Sequence, residues 1–132
     1  MPASPTPRPD IATEADIRTL VDRFYDKVNQ DALLGPVFNA IARVHWPAHL
    51  PIMYDFWSSV LLGTARYKGR PFPKHLPLPI DATHFRRWLE LFYQNLDEHF
   101  QGPKAEEARQ KAHNIATMFE YRMRQNSSLS VL

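Results

Sequence analysis

Apolar residues return every three or four positions through most of this chain, the period of an α-helix with one buried face. The first such run is Ile17, Leu20, Val21, Phe24 and Val28. Thr13 stands ahead of it as an N-cap, with Asp16 three residues on to complete a capping box. Gly35 and Pro36 interrupt the pattern and end or bend that segment. Another helix is predicted from the Pro47–Pro51 region, carrying Met53, Phe56, Trp57, Val60 and Leu61 on one face and stopping at Gly63. A further one shows Phe85, Trp88, Leu89, Phe92 and Leu96 and breaks at Gly102–Pro103. The last starts near Lys104, with Ala108, Ala112, Ile115, Phe119 and Met123 in register. No stretch sustains strict alternation, so no strand is expected and the fold class is all-α.

The ends read differently. Pro2, Pro5, Pro7 and Pro9 make residues 1–12 a loose tail, and the polar, serine-rich 126–132 reads as a fraying C-terminal tail. The domain then spans 13–125. The interior carries one irregular stretch, Lys68 to Thr83, with Pro71, Pro73, Pro77 and Pro79. It cannot be a long helix, yet Phe72, Leu76, Leu78 and Ile80 make it too apolar for disorder. An ordered loop packed against something is expected, and His75 lies in its middle.

Composition narrows the chemistry. Sixteen basic residues stand against fourteen acidic ones and are scattered, so no nucleic-acid footprint is expected. No run approaches a membrane span or the apolar core of a signal peptide, which predicts a soluble cytoplasmic protein. With no cysteine, any transition metal falls to His, carboxylate or Tyr. A ligating imidazole must be neutral and kept from rotating, with its second nitrogen donating to a fixed acceptor. A proline-stiffened loop suits that task for His75, although a lone loop histidine is more often a surface residue. Tyr25 and Trp88 stand on the apolar faces of two helices, and His49 lies four residues before Met53. Three polar tips on three helices either form a buried network around a ligand or are large core residues with bonded ends. His45 and His49, four apart, could instead share a non-haem metal with His84 or a carboxylate, although no HExxH pattern is present. A cofactor-free helical interaction module is the third reading. His84, His99 and His113 read as ordinary helix histidines, and Arg86–Arg87 as a solvated face.

Taken as an ordered set, these residues resemble the truncated haemoglobins, and in particular their third group. The stretches are Phe24-Tyr25-Asp26-Lys27-Val28 with Leu34-Gly35-Pro36-Val37-Phe38, then Phe56-Trp57 with Leu61-Leu62-Gly63. Tyr67-Lys68-Gly69-Arg70-Pro71 leading to His75-Leu76-Pro77-Leu78 is the most specific, and Phe85 to Phe92 follows at the expected spacing. The likeness covers about residues 13–125. The paired glycine motifs of other truncated globins are missing, as that group leads one to expect.

The resemblance implies a two-over-two helical sandwich around haem b, with the proximal helix reduced to a loop. It implies His75 as the proximal iron ligand and Tyr25, His49 and Trp88 on the distal side. Phe38 would pack on the macrocycle, Met53 and Trp57 would line the cavity, and Arg66, Tyr67 and Lys74 are candidates for the haem propionates. Pro47 and Pro51 bracket His49, so the direction of its side chain is left open, with His45 as a competitor. The implied function is binding of O2, NO, CO or similar small ligands. Several distal donors favour slow release and redox chemistry, as an NO dioxygenase or a peroxidase-like oxidoreductase, over bulk oxygen transport. The chain has no dinucleotide fingerprint and no room for a reductase domain, so turnover would need a separate reductant or reductase.

Overall fold

The computed structural model describes residues 8–67, 69 and 80–131, with side chains through Gln125. Helix α1 (Glu14–Gln30) begins at the Thr13 cap, whose hydroxyl accepts from the Asp16 N–H while the Asp16 carboxylate accepts from the Thr13 N–H. Its face of Ile17, Leu20, Val21, Phe24, Tyr25 and Val28 is buried. Gly35 and Pro36 do not end the helical run. They lie in a short helix α2 (Leu34–Pro36) that passes into a π-helical turn, Val37–Ile41. A Cβ on Gly35 would come within 2.9 Å of the Asn29 carbonyl oxygen, so glycine lets α2 fold back on the end of α1.

Helix α3 (Trp46–Leu62) starts before Pro47 rather than late, because proline at the first turn forfeits only a free N–H. Pro51 stands inside it. Gly63, at φ 67°, ends it in the left-handed conformation that glycine adopts without strain. Helix α4 (Ala82–His99) is capped by Asp81, so Ala82 and Thr83 belong to it and not to the expected loop. Helix α5 (Pro103–Val131) runs on through most of the segment expected as a C-terminal tail.

The N-terminal expectation is also corrected. Ile11 is buried, the Gln101 N–H donates to the Pro9 carbonyl, and the Asp10 carboxylate accepts from the Lys104 and Ala105 N–H groups of α5. The segment from Pro9 therefore belongs to the domain. An apolar residue and a capping carboxylate explain why: each has a buried or unpaired partner to satisfy.

Helix α1 packs on α3 and α4, and α4 packs on α5. Phe24 and Phe92, both fully buried, meet edge to face at 5.2 Å in the centre. The described residues contain helices and no strand, and none of the helices is long and apolar enough to cross a membrane. Arg87 was expected on a solvated face. It instead donates to Asp31 at 2.7 Å, whose side chain is only 6% exposed, and ties α4 to the entrance of α2. Burial alone would raise the Asp31 pKa, but the Leu34 N–H, the Arg87 guanidinium and the Leu33 N–H outweigh it and hold it low.

Candidate haem site

A cavity of about 340 Å³ opens between the helices, within the range usual for small-molecule and cofactor sites. Helix α1 contributes Tyr25, the α2 region Leu34, Val37 and Phe38, and α3 His49, Ile52, Met53, Phe56 and Trp57. The opposite side is made by Ile80, His84, Phe85 and Trp88, with Ile115, Ala116 and Phe119 from α5. Neighbouring lining rings touch along the wall, as Tyr25–Phe38 and Phe56–Trp57 do, and the space lies between the walls.

Most of that wall is hydrocarbon. Its polar side chains are Tyr25 and His49, where α1 meets the start of α3, and Tyr67, His84 and Trp88 elsewhere on the wall. The Tyr25 and His49 rings lie 5.8 Å apart, close to perpendicular. Burial pushes the Tyr25 phenol well above its ordinary pKa, so it stays protonated and a donor. Tyr25 lines the cavity and its hydroxyl is not one of the buried atoms left without a partner among the described residues, so it is open to a polar guest there. His49, whose direction Pro47 and Pro51 left open, is among the residues that line the cavity. His45 is exposed and lines nothing.

Trp88 stands on the wall with its ring across Phe24 at 5.3 Å and stacked on Phe92 at 5.5 Å. Trp57 also stacks on Phe92, at 5.0 Å. Phe38 and Met53 face the cavity, as does Tyr67, whose N–H donates to the Ser59 hydroxyl at 2.8 Å. Arg66 does not join them. It is exposed and faces Glu14 at 3.7 Å. His75 and Lys74 lie outside the described residues.

Sequence reasoning did not assign to the site several apolar lining residues, Phe119 among them, or two polar neighbours. His84 lines the cavity, with its Nδ1 engaged by the Asp81 N–H in the α4 capping box. Asp81 followed three residues later by a side chain able to accept was a readable signal. Trp46 packs behind Tyr25 and His49, and only the three-residue spacing from His49 hinted at a shared face. The alternative of a His-ligated non-haem metal finds no support: among the described residues no group of three His, Asp or Glu side chains could hold an ion.

A family model for bacterial-like globins matches residues 10–124. The chain belongs to the bacterial-like globin family. It is 34% identical over 111 residues to the group 3 truncated haemoglobin ctb of Campylobacter jejuni, covering 81% of this chain and 87% of that protein. The crystal structure of the group III truncated haemoglobin from Campylobacter jejuni superposes with a TM-score of 0.80 at 32% identity, over 88% of this chain and 94% of the other. The all-helical fold is thus that of a truncated globin, and the cavity is that of a haem protein for small gaseous ligands such as O2. The wall fits the group. A broad apolar macrocycle needs facing aromatic and aliphatic surfaces, which Phe38, Met53, Trp57 and Phe119 supply. The Tyr25 hydroxyl, kept protonated by burial, faces the same cavity.

Proposed function

We propose that this globin holds haem b through His75 and retains O2 or a similar diatomic ligand for redox chemistry rather than bulk transport. The observation that carries the reading is a largely apolar cavity into which Tyr25 and His49 face side by side, their rings 5.8 Å apart. When bound, haem supplies an iron centre able to take a small ligand and exchange electrons. Tyr25 donates its proton toward that ligand, His49 adds a second polar group, and the Trp88 N–H is the third candidate donor. Each such bond strengthens in a water-poor site, by about 1–3 kcal/mol where charge develops on the ligand. Met53, Trp57 and Phe38 keep water out. Tyr67 and Lys74 are the candidates for the haem carboxylates. Arg66, engaged with Glu14, would have to leave that partner to take part.

Slow release suits redox chemistry of O2, NO or peroxide at the site. CO is the convenient probe there. Turnover then depends on electrons from a separate reductant or reductase, and a cytoplasmic setting would supply them.

The test is the absorption spectrum of His75→Gly beside the unaltered protein, both expressed with haem supply. The unaltered protein should show an intense near-ultraviolet haem band, and the variant should lose or shift it until free imidazole is added. A variant whose band is unchanged without imidazole would remove His75 from the iron. Oxygen release from the reduced protein that is as fast as from Tyr25→Phe would overturn the slow-release reading.

A further inference from the structure

We propose that Trp46, fixed by Asn39, is a positioning residue that sets the orientation of Tyr25 and His49 toward the ligand. The inference rests on the reading of those two side chains as the ligand-facing pair. Trp46 does not itself line the cavity. Its ring lies 5.2 Å from that of Tyr25, 5.6 Å from that of His49, and stacks on Phe38 at 5.9 Å. It is therefore the one described ring in contact with both polar groups and with Phe38 from behind.

The ring is tied down by a hydrogen-bonded chain. The Trp46 indole N–H donates to Asn39 Oδ1 at 2.9 Å. The Asn39 amide N–H₂ donates to Asn29 Oδ1 at 2.9 Å and to the Gly35 carbonyl at 3.0 Å. Asn29 lies one helical turn after Tyr25, and Trp46 one turn before His49, so each end of the chain sits on the helix that carries one of the pair. The π-helical turn brings Asn39 between them, and such turns recur at functional sites. Just before Trp46 the backbone takes a left-handed conformation at Arg43, φ 53°, which a non-glycine residue holds only when its surroundings impose it. The Val44 N–H to the Phe38 carbonyl, 2.9 Å, is one such constraint. A side chain that merely filled space at this half-buried rim would need no committed N–H.

The experiment compares Trp46→Leu and Asn39→Ala with Tyr25→Phe and His49→Leu, each as the haem-loaded protein and as the cofactor-free protein. The readouts are the infrared C–O stretch of the CO complex, the oxygen dissociation rate, and the exchange of the Trp46 indole proton by NMR without cofactor. Trp46→Leu and Asn39→Ala should split or broaden the C–O band and speed oxygen loss about fivefold, as when a ligand hydrogen bond is weakened. In cofactor-free Asn39→Ala the indole proton should lose its protection. If Tyr25→Phe and His49→Leu move the band while both other variants leave band and rate unchanged, Trp46 is packing alone and the proposal fails. If none of the four moves the band, the reading of Tyr25 and His49 fails, and the proposal with it. Should Trp46→Leu not fold, Asn39→Ala keeps the ring and decides the matter.

Discussion

Tyr25 divides its work between two ends of one side chain. Its ring fills the core beside Phe24 at 5.0 Å, while the residue also lines the cavity, where its hydroxyl is open to a guest. Removing the hydroxyl keeps the ring packing and takes away only the donor. Tyr25→Phe should therefore leave the melting temperature of the cofactor-free protein nearly unchanged while speeding oxygen dissociation from the loaded one by about tenfold or more. Thermal melting and stopped-flow release check the two halves, and a variant much less stable without cofactor would show that the hydroxyl already served the fold. The apolar stripes made Tyr25, Met53, Trp57 and Trp88 legible from sequence, because a helix face fixes which neighbours look inward. His49 was ambiguous, since the effect of two prolines on a helix start depends on what the first turn packs against. Trp46 was illegible: its value comes from Asn39, seven residues away through a π-helical turn that no local pattern announces.

At the scale of the elements, the caps were the most readable signals. The Thr13–Asp16 box and the Gly63 terminator stand where local chemistry requires them. The start of α5 was readable from Gly102–Pro103, but its cap was not, because that comes from Asp10, over ninety residues earlier. Gly102, at φ 138°, makes room for it: a Cβ there would fall 2.6 Å from Asp10 Cγ. Gly102→Ala should thus expel the cap and strain the turn together, lowering stability by more than Asp10→Ala, for which about 0.5–2 kcal/mol is expected. Urea titration followed by circular dichroism measures both. Burial alone would raise the Asp10 pKa, but the N–H groups of Lys104, Ala105 and Ile11 and the charge of Lys104 outweigh it and hold it below the ordinary value. A folded pKa below the unfolded one, about 3.9, gives stability that is present above that value and is lost as pH falls through the folded one. Asp10→Ala should accordingly flatten the acid limb of the stability curve; an unchanged limb would show that Asp10 does not contribute to it.

For the whole molecule the decisive fact is that the helices enclose space rather than close over it. A cavity lined by Phe38, Trp57, Phe85 and Phe119 leaves contacts unmade that a guest can supply. Anything that binds only the folded state stabilises it by mass action, about 4 kcal/mol at a thousandfold excess over the dissociation constant. Loading with haem should then raise the melting temperature by roughly 10–20 °C. Scanning calorimetry of the two forms tests this, and equal melting points would mean that the cofactor does not use the cavity. The all-helical plan was legible in the sequence as four periodic runs and their breakers. The empty volume was not, because periodicity reports which face is apolar and says nothing of how closely two faces approach.

The placement of the three tryptophans has a practical corollary. Trp57 and Trp88 stand on the cavity wall, and Trp46 is one ring removed from it. All the indole light of the molecule is therefore emitted next to the same chamber. A pigment seated there will absorb that light by energy transfer, so the chain carries its own optical gauge, dimming as sites fill and brightening as they empty, with no label added.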